Sequence, residues 1–212
     1  MSGIFISLEG PDGSGKSTTA AKLVPQLQQL SQKEVILTRE PGGSSISEQI
    51  RQVILNVDNT SMDSRTEALL YAAQRRQHLV DVILPALAAN KIVISDRYVD
   101  SSVAYQGAGR EIGMKQIWDL NLFATDNLLP QLTLYFDVPP KVGLQRINQA
   151  RAQAVDRLEK ETLVFHQRVA NAYQQLVQQF PQRIVSIDAQ QDPTQVKDEC
   201  LRIIKQRFKL GE

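Results

Sequence analysis

The chain has 212 residues, which favours one or two domains at about 150 residues each. Its 24 Lys+Arg and 23 Asp+Glu leave a formal charge of +1, which argues against a nucleic-acid coat or a polybasic membrane binder. Apolar residues at 42% and charged residues at 22% are ordinary globular values, one cysteine excludes an internal disulfide framework, and no apolar run approaches the ~20 residues of a membrane span.

In chain order, Ile4-Phe5-Ile6-Ser7-Leu8 reads as a first strand. The N-terminus around it lacks the basic region and cleavage site of a signal peptide, so a cytoplasmic location is expected. A Gly-rich turn follows, and from Lys16 the residues Ala20, Leu23, Val24, Leu27 and Leu30 recur at helical spacing. Val35–Thr38 is a second strand, closed by Pro41-Gly42-Gly43, and Ser45 with Glu48 predicts a capping box for the next helix. A long helical stretch spans roughly 63–89, with a kink expected near Pro85. Ile92-Val93-Ile94-Ser95 is the third strand, Leu132–Phe136 the fourth and Ile184–Ile187 the fifth. Asp192 and Pro193 open a last helix, whose apolar stripe Val196, Cys200, Ile203 and Ile204 makes Cys200 a core residue.

Near-continuous apolar strands alternating with helices predict a parallel sheet covered on both faces. No linker divides the chain, so residues 1–212 are expected to form a single α/β domain. Residues 148–156 carry only Val155 as a bulky apolar anchor; they read as a short lid between two helices, or as continuous helix.

Gly10-Pro11-Asp12-Gly13-Ser14-Gly15-Lys16-Ser17 fits G-x-x-x-x-G-K-[ST], between a strand and a helix. Glycines there let backbone N–H groups turn inward around phosphates, and the helix adds its positive end. Lys16 reaches the β/γ-phosphates as a point charge, and Ser17 offers a hydroxyl to Mg²⁺. Asp12 is an odd neighbour for an anion. It faces either a hydroxyl on an acceptor substrate or bulk solvent.

Asp96 ends the third strand as a Walker B carboxylate would, within reach of the metal. Arg97 beside it lies where open parallel sheets bind ligands, and its fork suits a phosphate. Joining two anions needs further positive charge, and Arg146, Arg151 and Arg157 flank the expected lid. Arg151 is the chosen finger; the alternative is a solvated helix face. His78 and His166 lack metal-ligand spacing and read as structural.

These residues resemble a known family. Glu9–Thr18, Thr38-Arg39-Glu40-Pro41-Gly42-Gly43, Asp96-Arg97-Tyr98 with Ser101, Ala104-Tyr105-Gln106-Gly107 and Asp156-Arg157-Leu158-Glu159 are similar to bacterial thymidylate kinases among the P-loop nucleoside monophosphate kinases. The resemblance runs in order from about residue 3 to residue 208. It implies a five-stranded parallel sheet, a homodimer, and transfer of phosphoryl from Mg-ATP to dTMP, with no nucleic-acid or membrane partner. It also implies roles. Gly10, Pro11, Asp12, Gly13, Ser14, Gly15, Lys16, Ser17 and Thr18 would hold ATP, with Ala189 near the adenine. Asp12 would bond the acceptor's 3′-hydroxyl, Arg97 the dTMP phosphate, and Asp96 would position phosphate and metal. Tyr71 would stack on thymine, Arg75 would reach a base carbonyl, and Ser101, Tyr105 and Gln106 would close the pocket. Arg151 would be the lid arginine, although the lid lacks the usual glycine and is one residue longer, which leaves Arg146 in contention.

Two other readings stay open from residues alone. One is a kinase for another pyrimidine nucleotide or nucleoside, since thymine and uracil differ by a methyl worth only ~1–3 kcal/mol. The other is a P-loop ATPase switch, against which the Asp12/Arg97 pair calls for a second anionic ligand.

Overall fold

The computed structural model describes residues 3–150, 157–158 and 160–211. Five parallel strands, β1 (Ile4–Glu9), β2 (Val35–Arg39), β3 (Ile92–Asp96), β4 (Leu132–Asp137) and β5 (Ile184–Asp188), form one sheet in the order β2-β3-β1-β4-β5. Each strand contains its predicted segment and runs one residue further. Successive side chains point to opposite faces, so each apolar strand feeds two cores. Phe5, Val93 and Tyr135 join one cluster, beneath α3 (Ser64–His78) and α8 (Leu163–Gln179). Ile6, Leu8, Ile94, Leu134 and Phe136 join the other, beneath α1 (Lys16–Ser31) and α9 (Pro193–Phe208). Cys200 lies in that second cluster, fully buried, and burial pushes its thiol up to about 12.

The α9 start follows the prediction: Asp192 Oδ1 accepts from Thr194 N at 2.8 Å, and Gln195 returns a bond to Asp192 N. The box predicted on Ser45 is corrected. Ser44 is the N-cap of α2 (Ser45–Leu55), its side chain makes no cap bond, and Glu48 accepts from Gly43 N at 2.8 Å. A helix preceding by one residue leaves Ser45 inside the first turn, where its N–H is no longer the group Glu48 can reach.

The long stretch after Asp63 also differs in detail. α3 passes at Leu79–Ile83 into a π-helical turn, then into α4 (Leu84–Ala88), which contains Pro85. Proline removes an N–H and its ring crowds the carbonyl four residues back, so the turn before it widens rather than bends. A second π-helical segment, Val103–Gly109, follows the short α5 (Val99–Ser102) and precedes α6 (Met114–Thr125), elements the apolar spacing does not mark. α7 (Pro140–Ala150) carries helix into 148–150, the first residues of the expected lid; residues 151–156 lie outside the described residues.

Candidate active site

β1 ends on Glu9 and the chain turns through the Gly-rich loop into α1, whose N-cap is Gly15 at φ +92°. Among the described residues no side chain caps this helix, so its first N–H groups are left for an anion. Gly13 sits at φ +74°, and a Cβ there would lie 2.2 Å from the Gly143 carbonyl oxygen of α7. Only glycine fits this contact, which fixes the loop between β1 and α7. Lys16 Nζ lies within the loop, donating to Gly10 O at 3.0 Å and Pro11 O at 2.9 Å. Burial, with Arg97 nearby, lowers its ammonium to about 8.

The loop opens on a cavity of about 660 Å³. Asp12, Gly13, Ser14, Gly15, Lys16, Ser17, Thr18, Asp96 and Arg97 line it, together with Tyr71, Arg75, Ser101, Tyr105 and Gln106. Ala189 also lines it, some 170 residues along the chain from the loop. Of the expected ATP-site residues, Gly10 and Pro11 are not on the lining; their carbonyls hold Lys16 instead.

Asp12 turns away from the loop's centre. Its Oδ1 accepts from Arg97 Nη2 at 2.5 Å and its Oδ2 from the Tyr105 hydroxyl at 3.0 Å. Burial alone would raise this carboxyl; Arg97 and Lys16 more than offset it and hold it at about 2. Arg97 takes a left-handed backbone, φ +74°, rare for a side chain of this size. The turn sends its guanidinium back across β1 to Gly10 O (2.9 Å), Ser101 Oγ (3.0 Å) and Tyr105 Oη (3.3 Å). Beneath it Glu9 is fully buried, accepting from Tyr98 N (2.7 Å), Ser101 Oγ (2.5 Å) and Tyr173 Oη (3.1 Å). Burial and the neighbouring Asp100 raise its carboxyl to about 7. Ser17 Oγ donates to Asp96 Oδ2 at 2.5 Å, so the two expected metal ligands meet at the loop.

Arg75 is on the lining but heavily engaged: Nε bonds Glu40 at 2.6 Å, Nη1 bonds Ser102 and Asn121, and Nη2 bonds Tyr98 O. Burial would raise Glu40, but Arg75 and His78 hold it below the usual carboxylate range. His78, with Nδ1 2.8 Å from Glu40 and Nε2 2.6 Å from Thr38, is a structural histidine, as expected. Of the lid-flanking arginines, Arg146 lines the cavity and donates to Ala189 O at 3.0 Å. Arg157 does not: it bonds Ile54 O at 3.0 Å and Glu67 at 2.6 Å. Arg151 lies outside the described residues.

The sequence reasoning missed Arg51 and Ser102 on the lining, and gave Arg39 and Glu40 no role. Arg39 and Arg51 both donate to Pro41 O, at 3.0 and 2.7 Å, and add positive charge to the cavity. Arg39 was signalled by the Arg-Glu-Pro-Gly-Gly stretch, whereas Arg51 is one polar residue of an amphipathic helix and carries no mark.

The family model described as thymidylate kinase matches residues 8–200. A thymidylate kinase of Latilactobacillus sakei is 57% identical over 206 residues, covering 97% of this chain and 96% of the relative. One from Pediococcus pentosaceus is 55% identical over 97% of this chain and 99% of its own length. The crystal structure of a thymidylate kinase from Ehrlichia chaffeensis superposes with a TM-score of 0.77 at 32% identity, covering 96% of this chain and 98% of that one. With a P-loop that shares one cavity with Arg75 and Arg97, and this match along nearly all its length, the chain belongs to the thymidylate kinase family.

Proposed function

We propose that the chain transfers the γ-phosphoryl group of ATP to dTMP, giving dTDP and ADP, through positioning and electrostatics with no covalent enzyme intermediate. The observation that carries this reading is the Asp12–Arg97–Tyr105 cluster, set between the phosphate loop and the Tyr71–Gln106 end of one cavity. ATP lies with its phosphates on the loop amides and Lys16, and its adenine towards Ala189. The acceptor phosphate meets Arg97, its sugar hydroxyl meets Asp12, Ser101 and Tyr105 border the sugar, and the base lies against Tyr71.

Magnesium suits the residues present. A hydroxyl and a carboxylate oxygen, Ser17 and Asp96, converge at the loop, and the described residues hold no group of three acidic, His or Cys ligands. Nucleotide phosphates and water would therefore complete the shell, the usual arrangement for this ion. When bound, it neutralises charge on the β- and γ-phosphates. The P-loop has no arginine of its own, so the developing charge is met from elsewhere, by Arg151 of the 148–156 lid on the family resemblance or by Arg146 of α7 on its place in the cavity.

A homodimer fits the surface: Phe123 on α6 is 87% exposed, Leu69 is exposed on α3, which packs against α6, and Val53 is exposed on α2, which packs against α3. No helix of the described residues is long and apolar enough to cross a membrane, in keeping with a cytoplasmic enzyme. The test is ADP release measured in parallel with dTMP, dUMP, CMP and thymidine. Turnover fastest with dTMP is expected; ATP hydrolysis indifferent to all four overturns the assignment. In the same assay Arg151→Ala is expected to lower kcat by ~10³-fold with ATP binding retained.

A further inference from the structure

Three residues one turn apart on α3, Glu67, Tyr71 and Arg75, share a buried face. Two of them line the cavity at its base end. The third has no part in the chemistry above, yet Glu67 is 0% exposed and is the centre of a polar cluster. Its Oε2 accepts from Arg157 Nη2 at 2.6 Å and Arg110 Nε at 3.2 Å, and its Oε1 accepts from Gln106 Nε2 at 2.9 Å.

That last bond carries information. An amide has a donating end and an accepting end, and a neighbour that only accepts selects between them. A carboxylate gripped by two guanidinium groups accepts only. The –NH₂ of Gln106 must therefore face Glu67, which leaves Oε1 as the amide's other end, on a residue that lines the cavity. No described residue donates to that oxygen. Arg75 supplies the complement: four of its five N–H donors go to Glu40, Ser102, Asn121 and Tyr98 O, leaving one on Nη2. The base end thus offers one fixed acceptor and one donor.

We propose that Glu67 is the positioning residue that sets base specificity: by holding Gln106 Nε2–H it presents an accepting oxygen to the acceptor's base, so the site takes pyrimidines with an N3–H and a 4-oxo group and rejects cytosine. Thymine and uracil donate at N3 and accept at O4. Cytosine does the reverse, accepting at N3 and donating at N4, so it meets an acceptor with an acceptor and a donor with a donor. Mispaired buried polar groups of this kind discriminate by up to ~10⁴–10⁵-fold, far beyond what pocket shape achieves. The inference rests on placing the acceptor's base beside Gln106.

The experiment compares kcat/KM for dTMP and dCMP in wild type and Glu67→Gln. A glutamine at 67 can donate as well as accept, so Gln106 is free to turn over. The dCMP:dTMP ratio is expected to rise at least tenfold, with the KM for ATP unchanged. A folded Glu67→Gln protein whose ratio stays within twofold of wild type overturns the proposal. Arg110→Met, which removes one partner of Glu67 but leaves the Gln106 bond, should keep the wild-type ratio; an equal rise there means general loosening and also overturns it. Where Glu67→Gln alone does not fold, the Glu67→Gln/Arg110→Gln double variant, which removes a cation with the anion, carries the same test. Gln106→Leu separates the two layers of the argument. A raised KM for dTMP in that variant upholds the base placement whatever Glu67 does, and no change in either nucleotide's KM removes the placement itself.

Discussion

Replacing Arg97 by Met keeps an unbranched stem and the same left-handed backbone while deleting the guanidinium. Bonds to Gly10 O, Ser101, Asp12 and Tyr105 go with it. The cost to the fold follows from Asp12, whose carboxyl stands at about 2 against an ordinary 3.8. That difference corresponds to at most about 2.5 kcal/mol at ~1.4 kcal/mol per pKa unit. The side chain is 28% exposed and Lys16 shares the effect, so about 1 kcal/mol is the expected loss, or ~2–4 °C in Tm. A depressed carboxylate stabilises above its unfolded pKa, so this deficit is present at neutral pH and vanishes as pH falls through 3.8 to about 2. The cost to function is larger. Two charge-assisted bonds to an acceptor phosphate, at ~1.5–3 kcal/mol each, predict a 10²- to 10⁴-fold fall in kcat/KM for dTMP. The KM for ATP should move little. A coupled ADP-release assay at pH 7.5, beside a thermal melt, separates the two effects. A folded Arg97→Met enzyme within tenfold of wild type for dTMP would refute the assignment.

Further expectations concern neighbouring groups. Asp12→Ala should impair dTMP far more than its 3′-deoxy analogue; equal losses on both would remove the sugar contact. Glu9 has a raised carboxyl, about 7 against 4.5, so the fold favours its neutral form and wild-type stability declines as pH rises across that interval. Glu9→Gln, fixed neutral, should therefore gain in Tm relative to wild type between pH 4.5 and 7.5, and a pH-independent gap contradicts this. Cys200, buried with its thiol pushed up to about 12, should resist a thiol reagent at pH 8 until the protein is denatured; rapid labelling of the native enzyme would show the α9 core to be open.

The sheet was legible because parallel strands buried on both faces need uninterrupted apolar runs, and Ile92-Val93-Ile94 can do little else. The phosphate loop was legible because its chemistry is local: glycines, Lys16 and Ser17 lie within eight residues. What the spacing hid is what the chain brings together from afar. Arg97 and Asp12 are 85 residues apart, and neither says it is the other's partner until the left-handed turn at Arg97 is known. Glu67 is hidden more deeply, since a glutamate in the first turn of a helix reads as a favourable exposed charge, and only the fold shows it at 0% exposure. The π-helical turns left no trace because one widened turn barely alters an apolar stripe. The Ser45 box does not form because Ser44 beside it takes the N-cap position, without a side-chain cap bond, and Glu48 accepts from Gly43 N instead.

The partners of Arg97 explain why a carboxylate sits in a phosphate loop at all. Its Nη1 is committed to Gly10 O and Ser101, and its Nη2 to Asp12 and Tyr105, so every Nη hydrogen is engaged. An acceptor phosphate can therefore reach this guanidinium only by exchange. The bonds it most readily displaces are those to the 28%-exposed Asp12 and to Tyr105, because Gly10 O belongs to the loop and Ser101 is pinned by Glu9. Displacement leaves Asp12 charged, beside Lys16 and short of a donor. A sugar hydroxyl is the group that meets that need at that place. Phosphate and hydroxyl recognition are in this way one event, and a ligand offering only one of them leaves either Arg97 or Asp12 without compensation. The near-zero net charge of the chain is compatible with binding a second polyanion because Arg97, which receives the acceptor phosphate, is paired in advance with Asp12, a contact the phosphate replaces.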